Sequence, residues 1–133
     1  MAITDLRIGH AVEQTRTITE ADVMAFAAVS GDFNPVHVDA DAAAASPFGE
    51  RIVHGMLTAS LLSALLASEV PGAIYLSQTL NFLRPVKLGD TVTAHATITA
   101  IDVDKRRVTL ATVVRNARGK NVIDGVALLQ VPA

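Results

Sequence analysis

The sequence predicts an α+β fold, one long buried helix wrapped by an antiparallel β-sheet, on three observations. The stretch GMLTASLLSALLASEV, starting at Gly55, is apolar on nearly every side, and a helix that is hydrophobic all round belongs in a core. After Gly72, four runs rich in β-formers follow one another with short connections, which argues antiparallel neighbours in a meander. Helical patterns precede the strand patterns and do not alternate with them, which separates α+β from a parallel βαβ sheet.

The chain changes character once, near Pro71. Thr19 is placed to cap a helix running to about Val29, with Glu20 and Asp22 in the first turn, where the dipole favours acids, and Gly31 just past its end. Val23, Phe26 and Ala27 then share one face. Asp39 can cap a short alanine-rich turn through Ala45 that Ser46-Pro47 stops. The central helix follows and ends before Pro71-Gly72. Four expected strands complete the chain: AIYLSQTLNFLRP, TVTAHATITAID, RVTLATVVRNA and NVIDGVALLQV. Turns separate the four at Leu88-Gly89-Asp90, Asp102 to Arg106 and Arg118-Gly119-Lys120.

At 133 residues the chain is expected to form a single domain, residues 1–133, with a core of its own. A formal net charge of −2 argues against a nucleic-acid partner, which would need a basic excess. There is no cysteine, which removes disulfides, thiolate metal sites and a cysteine nucleophile, and suits a cytoplasmic location. The N-terminus has no signal-like apolar stretch, and the apolar run Met56 to Ala67 is broken by Thr58, Ser60 and Ser63. It is well short of the roughly 20 residues a membrane span needs, so no membrane partner is expected.

The segment SGDFNPVH, Ser30 to His37, holds the chemistry. Its bland reading is a loop after a helix, with Gly31 as cap, Asp32 and Asn34 bonded to nearby backbone, and Pro35 fixing φ. Its functional reading is a rigid Asn-Pro corner that aims Asp32 and His37 at one point, where a carboxylate and an imidazole can hold a water and move its protons. A second segment, His54-Gly55, begins the buried helix, so backbone N–H groups there lack helical partners and face outward at the positive dipole end. A glycine at that point admits a ligand oxygen closely, as an oxyanion such as a thioester enolate requires. Ser60 and Ser63 read most simply as hydroxyls bonded back to helix carbonyls.

The run FAAVSGDFNPVH, followed by Ala43, resembles the hydratase 2 signature of the MaoC-like hot dog proteins, and of their short-chain (R)-specific enoyl-CoA hydratases in particular. The similarity continues through IVHGMLTASLLSALL, IYLSQTLNFLRPVKLGDTV and the last two strands. It implies a hot dog fold in a homodimer and reversible syn hydration of a trans-2-enoyl-CoA to an (R)-3-hydroxyacyl-CoA. It also implies a place in fatty acid metabolism and polyhydroxyalkanoate precursor supply. Asp32 and His37 would be the catalytic pair and Gly55 the oxyanion donor through its N–H. Asn34, His54, Ser63 and Leu66 would bind substrate, with Ser63 and Leu66, three residues apart, on one wall of the acyl pocket where size limits chain length. The partner is then an acyl-CoA thioester, and no cofactor or metal is required. Arg84, Lys87 and Arg115 are scattered cationic candidates for the CoA phosphates.

Rival readings share the fold. A 3-hydroxyacyl-acyl-carrier-protein dehydratase would use the same pair and would want a basic rim for an acidic carrier. A thioesterase would attack C1 and draws its acid from the central helix, which offers only Ser and Thr before Glu69. A non-catalytic acyl-CoA-binding protein would need the pocket without both Asp32 and His37. A metal at His37-Val38-Asp39 has two ligand types at short spacing and no third.

Overall fold

The computed structural model describes residues 2–132. After a 3₁₀ turn at Ile3–Asp5, the elements are β1 (Ala11–Thr17), α1 (Glu20–Ser30), α2 (Pro35–Val38), α3 (Ala40–Ala44), α4 (Gly55–Glu69), β2 (Ile74–Gln78), β3 (Asn81–Phe82), β4 (Thr91–Asp102), β5 (Arg107–Asn116) and β6 (Asn121–Gln130). Helix α1 begins with a reciprocal cap: the Asp22 N–H donates to the Thr19 hydroxyl and the Thr19 N–H to the Asp22 carboxylate. It ends at Gly31, whose φ of 79° lies in the left-handed region that side chains disfavour. Asp39 caps α3 by accepting from the N–H groups of Asp41 and Ala42.

The sheet runs β1-β4-β5-β6-β2, all pairs antiparallel, with β3 also on β6. Strand β4 buries Val92, Ala94, Ala96 and Ile98 in strict alternation, and β5 buries Val108, Leu110, Thr112 and Val114 in the same way. Helix α4 lies on this face against β1, β4 and β5, burying Leu62, Leu65 and Leu66. Each such leucine contributes about 1.5–3 kcal/mol of burial. No helix among the described residues is long and apolar enough to cross a membrane.

Three expectations need correction. Strand β1 was not anticipated, because in AVEQTRT only Val12 is even half-buried, so no alternation marks it. Pairing with β4 makes it a strand, with Thr15 on Thr93 and Thr17 on Thr91 through their hydroxyls. The run 73–85 is not one strand beside β4, since β1 and β5 occupy both edges of β4. It bulges between Tyr75 and Ser77, splits into β2 and β3, and pairs with β6; only β4 to β6 form a meander. Finally, α4 is not enclosed on all sides: Met56, Ser60, Ser63, Ala64 and Ala67 are exposed, because the sheet covers one side of the helix.

Candidate active site

The corner between α1 and α2 is built from short-range hydrogen bonds. The Ser30 hydroxyl donates to the Phe26 carbonyl and accepts from the Asp32 N–H. The Asp32 carboxylate accepts from the Asn34 N–H at 3.2 Å, and the Asn34 side-chain oxygen accepts from the Val36 N–H, capping α2 with Pro35 at its first turn. Asp32 is thereby exposed at the edge while His37, one turn into α2, is buried.

Residues 51 and 52 lock α2 from the other side. The Ile52 N–H donates to the Val36 carbonyl, and Arg51 donates through Nε to the His37 carbonyl while its Nη1 pairs with Glu20. His37 Nδ1 lies 2.8 Å from the Ile52 carbonyl. A carbonyl only accepts, so Nδ1 carries the proton and in the neutral ring Nε2 holds the free lone pair.

His54, the residue before α4, is 1% exposed. Its Nε2–H donates to the Asp32 main-chain carbonyl at 2.9 Å, and its ring lies 4.1 Å from that of His37 and 4.9 Å from that of Phe26, centre to centre. Its Nδ1 is buried without a partner, as is the Thr58 hydroxyl one turn along α4. Buried polar atoms are rarely left so. One ligand atom from each of Asp32, His37 and His54 lies within 4.8 Å of the others.

These groups open on a cavity of about 520 Å³ whose other walls include Gly55, Phe82, Arg84 and Ile123. Gly55 starts α4, so its N–H has no helical acceptor. A Cβ built on Gly55 would stand 2.7 Å from the Phe82 ring, so only glycine lets Phe82 close over the helix end. A carboxylate, an imidazole with a free lone pair and a helix N-terminus around one mostly apolar space are the components of proton transfer beside a developing oxyanion.

Of the residues singled out in the sequence, Asp32, His37, His54 and Gly55 meet at this cavity. Asn34 does not line it, its side chain being used to cap α2. Ser63 is exposed on the open side of α4, whereas Leu66 is buried against a second cavity, of about 490 Å³, bounded by Ile98 and Leu110. Three residues turn a helix by about 300°, not a full turn, and here the sheet boundary falls between the two. The side chains that come together with ligand atoms in reach of one another are Asp32, His37 and His54, and Asp39 of the weak His37-Val38-Asp39 metal reading is not among them. Phe82 and Thr58 went unrecognised; the one signal for Thr58 was its place one turn after His54 on an apolar helix.

A family model described as "MaoC like domain" matches residues 5–119. The chain is 45% identical over 131 residues to the (R)-specific enoyl-CoA hydratase of Rhodospirillum rubrum, covering 97% of this chain and 90% of that one. Among solved structures it is similar to R-hydratase PhaJ1 from Pseudomonas aeruginosa in the unliganded form, at 48% identity and a TM-score of 0.94, covering 98% of this chain and 85% of that one. The (R)-hydratase from A. caviae involved in PHA biosynthesis is similar at 43% identity and a TM-score of 0.92, covering 96% and 98%.

Proposed function

The chain belongs to the MaoC-like domain family and has a hot dog fold, and on that premise we propose that it is an (R)-specific enoyl-CoA hydratase. It is a hydro-lyase that adds water reversibly and syn across a trans-2-enoyl-CoA. The observation that carries the reading is the convergence of Asp32, the Nε2 edge of His37 and the first N–H of α4 on one cavity.

Water is held between the Asp32 carboxylate and His37 Nε2. His37 takes one of its protons as the oxygen bonds to C3, and the π electrons move through C2 onto the thioester carbonyl. The Gly55 N–H meets the enolate oxygen that forms. The imidazolium then returns a proton to C2, and the carbonyl reforms. Because one ring serves both proton transfers from one side, addition is syn. Asp32 accepts the second water O–H and steadies the imidazolium, and His54 holds the Asp32 backbone in place. Acid-base positioning supplies roughly 10²–10⁴ in rate and an oxyanion donor roughly 10²–10³. The proposed reaction calls for no cofactor and no metal.

The reading extends to a homodimer and a cytoplasmic enzyme. One of the two sheet edges is β2, the other being β1; β2 carries exposed Ile74 and Leu76, a surface suited to joining a second sheet. Ser63, on the open side of α4, would touch acyl chain only from such an assembly. Crotonyl-CoA added to purified protein should lose its enoyl-thioester absorbance without release of free thiol, and chiral analysis should return the (R)-3-hydroxy product. Thiol release, or no spectral change, would defeat the proposal.

A further inference from the structure

A third cavity, of about 330 Å³, shares Arg84 and Pro85 with the catalytic cavity and continues outward to Lys87, Asp90, Asn116 and Arg118. It brings together the turn before β4 and the turn between β5 and β6, segments far apart in the chain. Three cations line it against one carboxylate, and the Asp90 carboxylate already accepts the Lys87 N–H. Arg84 spends one N–H group on the Asn121 carbonyl. Lys87 Nζ stands 3.6 Å from Glu50, both largely in solvent. The Arg118 guanidinium has no hydrogen-bond or ion-pair partner among the described residues. This is a local positive excess in a chain of net charge −2.

We infer that this shelf binds the phosphates of the coenzyme A nucleotide, and that Arg118 and Lys87 make the enzyme choose a CoA thioester over a bare pantetheine thioester. The inference rests on the hydratase reading. Its grounds are three. The shelf is continuous with the catalytic cavity through Arg84, so one extended substrate reaches both. The two arginines carry the planar forks that match phosphate oxygens, with a lysine as a point charge beside them. The shelf is also concave, so it fits phosphate groups better than the broad acidic face of a carrier protein.

The test measures hydration of crotonyl-CoA, crotonyl-dephospho-CoA and crotonyl-pantetheine by wild type, Arg118→Gln and the double variant Lys87→Gln/Arg118→Gln. Arg118 stands on the turn between β5 and β6 and Lys87 pairs with Ile52 through its backbone, which Gln preserves; thermal melts report folding. Wild type is expected to have a KM for crotonyl-CoA on the order of tenfold below that for crotonyl-pantetheine at similar kcat. The double variant should erase that difference by raising KM for crotonyl-CoA alone. The preference should also weaken with ionic strength in wild type and not in the double variant. The dephospho substrate identifies the 3′-phosphate as the group held if it behaves like pantetheine, and the pyrophosphate if it behaves like CoA. Equal kcat/KM for CoA and pantetheine thioesters in wild type, or equal losses on both in a folded variant, would overturn the shelf while leaving the hydratase reading intact. Failure to hydrate any of the three would instead overturn that reading.

Discussion

The two ends of α4 each border a cavity of similar volume, about 520 Å³ at Gly55 and about 490 Å³ at Leu66, yet they are built for different purposes. At the N-terminal end the first N–H of α4 lacks a helical acceptor, and beside the space His54 Nδ1 and the Thr58 hydroxyl are buried with no partner among the described residues. Toward the C-terminal end the buried wall is Leu66, Val70, Ala96, Ile98 and Leu110, which ask for nothing but contact. Volume therefore does not make a site. Polar groups kept unsatisfied by a well-formed fold do, because burying them without a partner costs about 1–3 kcal/mol each, and a substrate or its water can supply what is missing.

The contrast breaks most sharply at the proposed catalytic pair. Asp32→Asn and His37→Gln should each lower kcat for crotonyl-CoA by about 10²-fold or more, with melting temperatures near wild type. Normal turnover in either folded variant would remove that residue from the chemistry.

Leu66→Ala should do the reverse, costing about 2–5 kcal/mol of stability with kcat on crotonyl-CoA within about twofold. Urea unfolding and steady-state rates on the same preparation check both halves. A variant that melts normally but accepts longer acyl chains would support the chain-length role implied by resemblance.

At the start of α1 the expected effect is smaller. Thr19→Ala should cost about 1 kcal/mol by removing the cap, read from chemical denaturation, with activity unchanged. The Arg16 guanidinium beside Asp22, bonded at 2.7 Å, holds that carboxyl below its ordinary value. A depressed acid stabilises the fold above its unfolded pKa, so the Asp22 contribution should be whole at pH 6, begin to fall below about pH 4 and vanish once the pH has passed the lowered folded value. Melts of Asp22→Asn and wild type should converge there. The smallest expected effect is that of chelation: exhaustive treatment with a chelator should leave hydration unchanged, and recovery of a lost rate on adding a divalent ion would point instead to the Asp32, His37 and His54 cluster.

Much of the site was legible because its geometry is local. Gly31, Asn34-Pro35 and His54-Gly55 carry their turn and cap chemistry within a few residues, so the pairing of Asp32 with His37 followed from spacing and resemblance together. The Asn34 side-chain oxygen caps the next helix, a local use that its place before Pro35 also allows.

By itself the sequence determined the α1, α3 and α4 helices, the three long strands β4 to β6 and the acid-imidazole corner, all of which depend on periodicity, capping and turn residues close in the chain. Only the tertiary structure decided the rest. Strand β1 has no burial pattern of its own and exists through its partner. The pairing of β2 and β3 with β6, and not with β4, depends on which sheet edge was vacant. Leu66 faces packing and Ser63 faces out because the sheet covers only one side of α4, an angular boundary that helical spacing cannot reveal. Of the scattered cations Arg84, Lys87 and Arg115, the first two share a shelf with Arg118, unremarked as a cation in the sequence, only because two distant turns close on one another, while Arg115 lies off it and bonds to Asn121. The physical reason is common to all of these: local propensity sets how a segment is shaped, but long-range packing chooses which neighbour satisfies it.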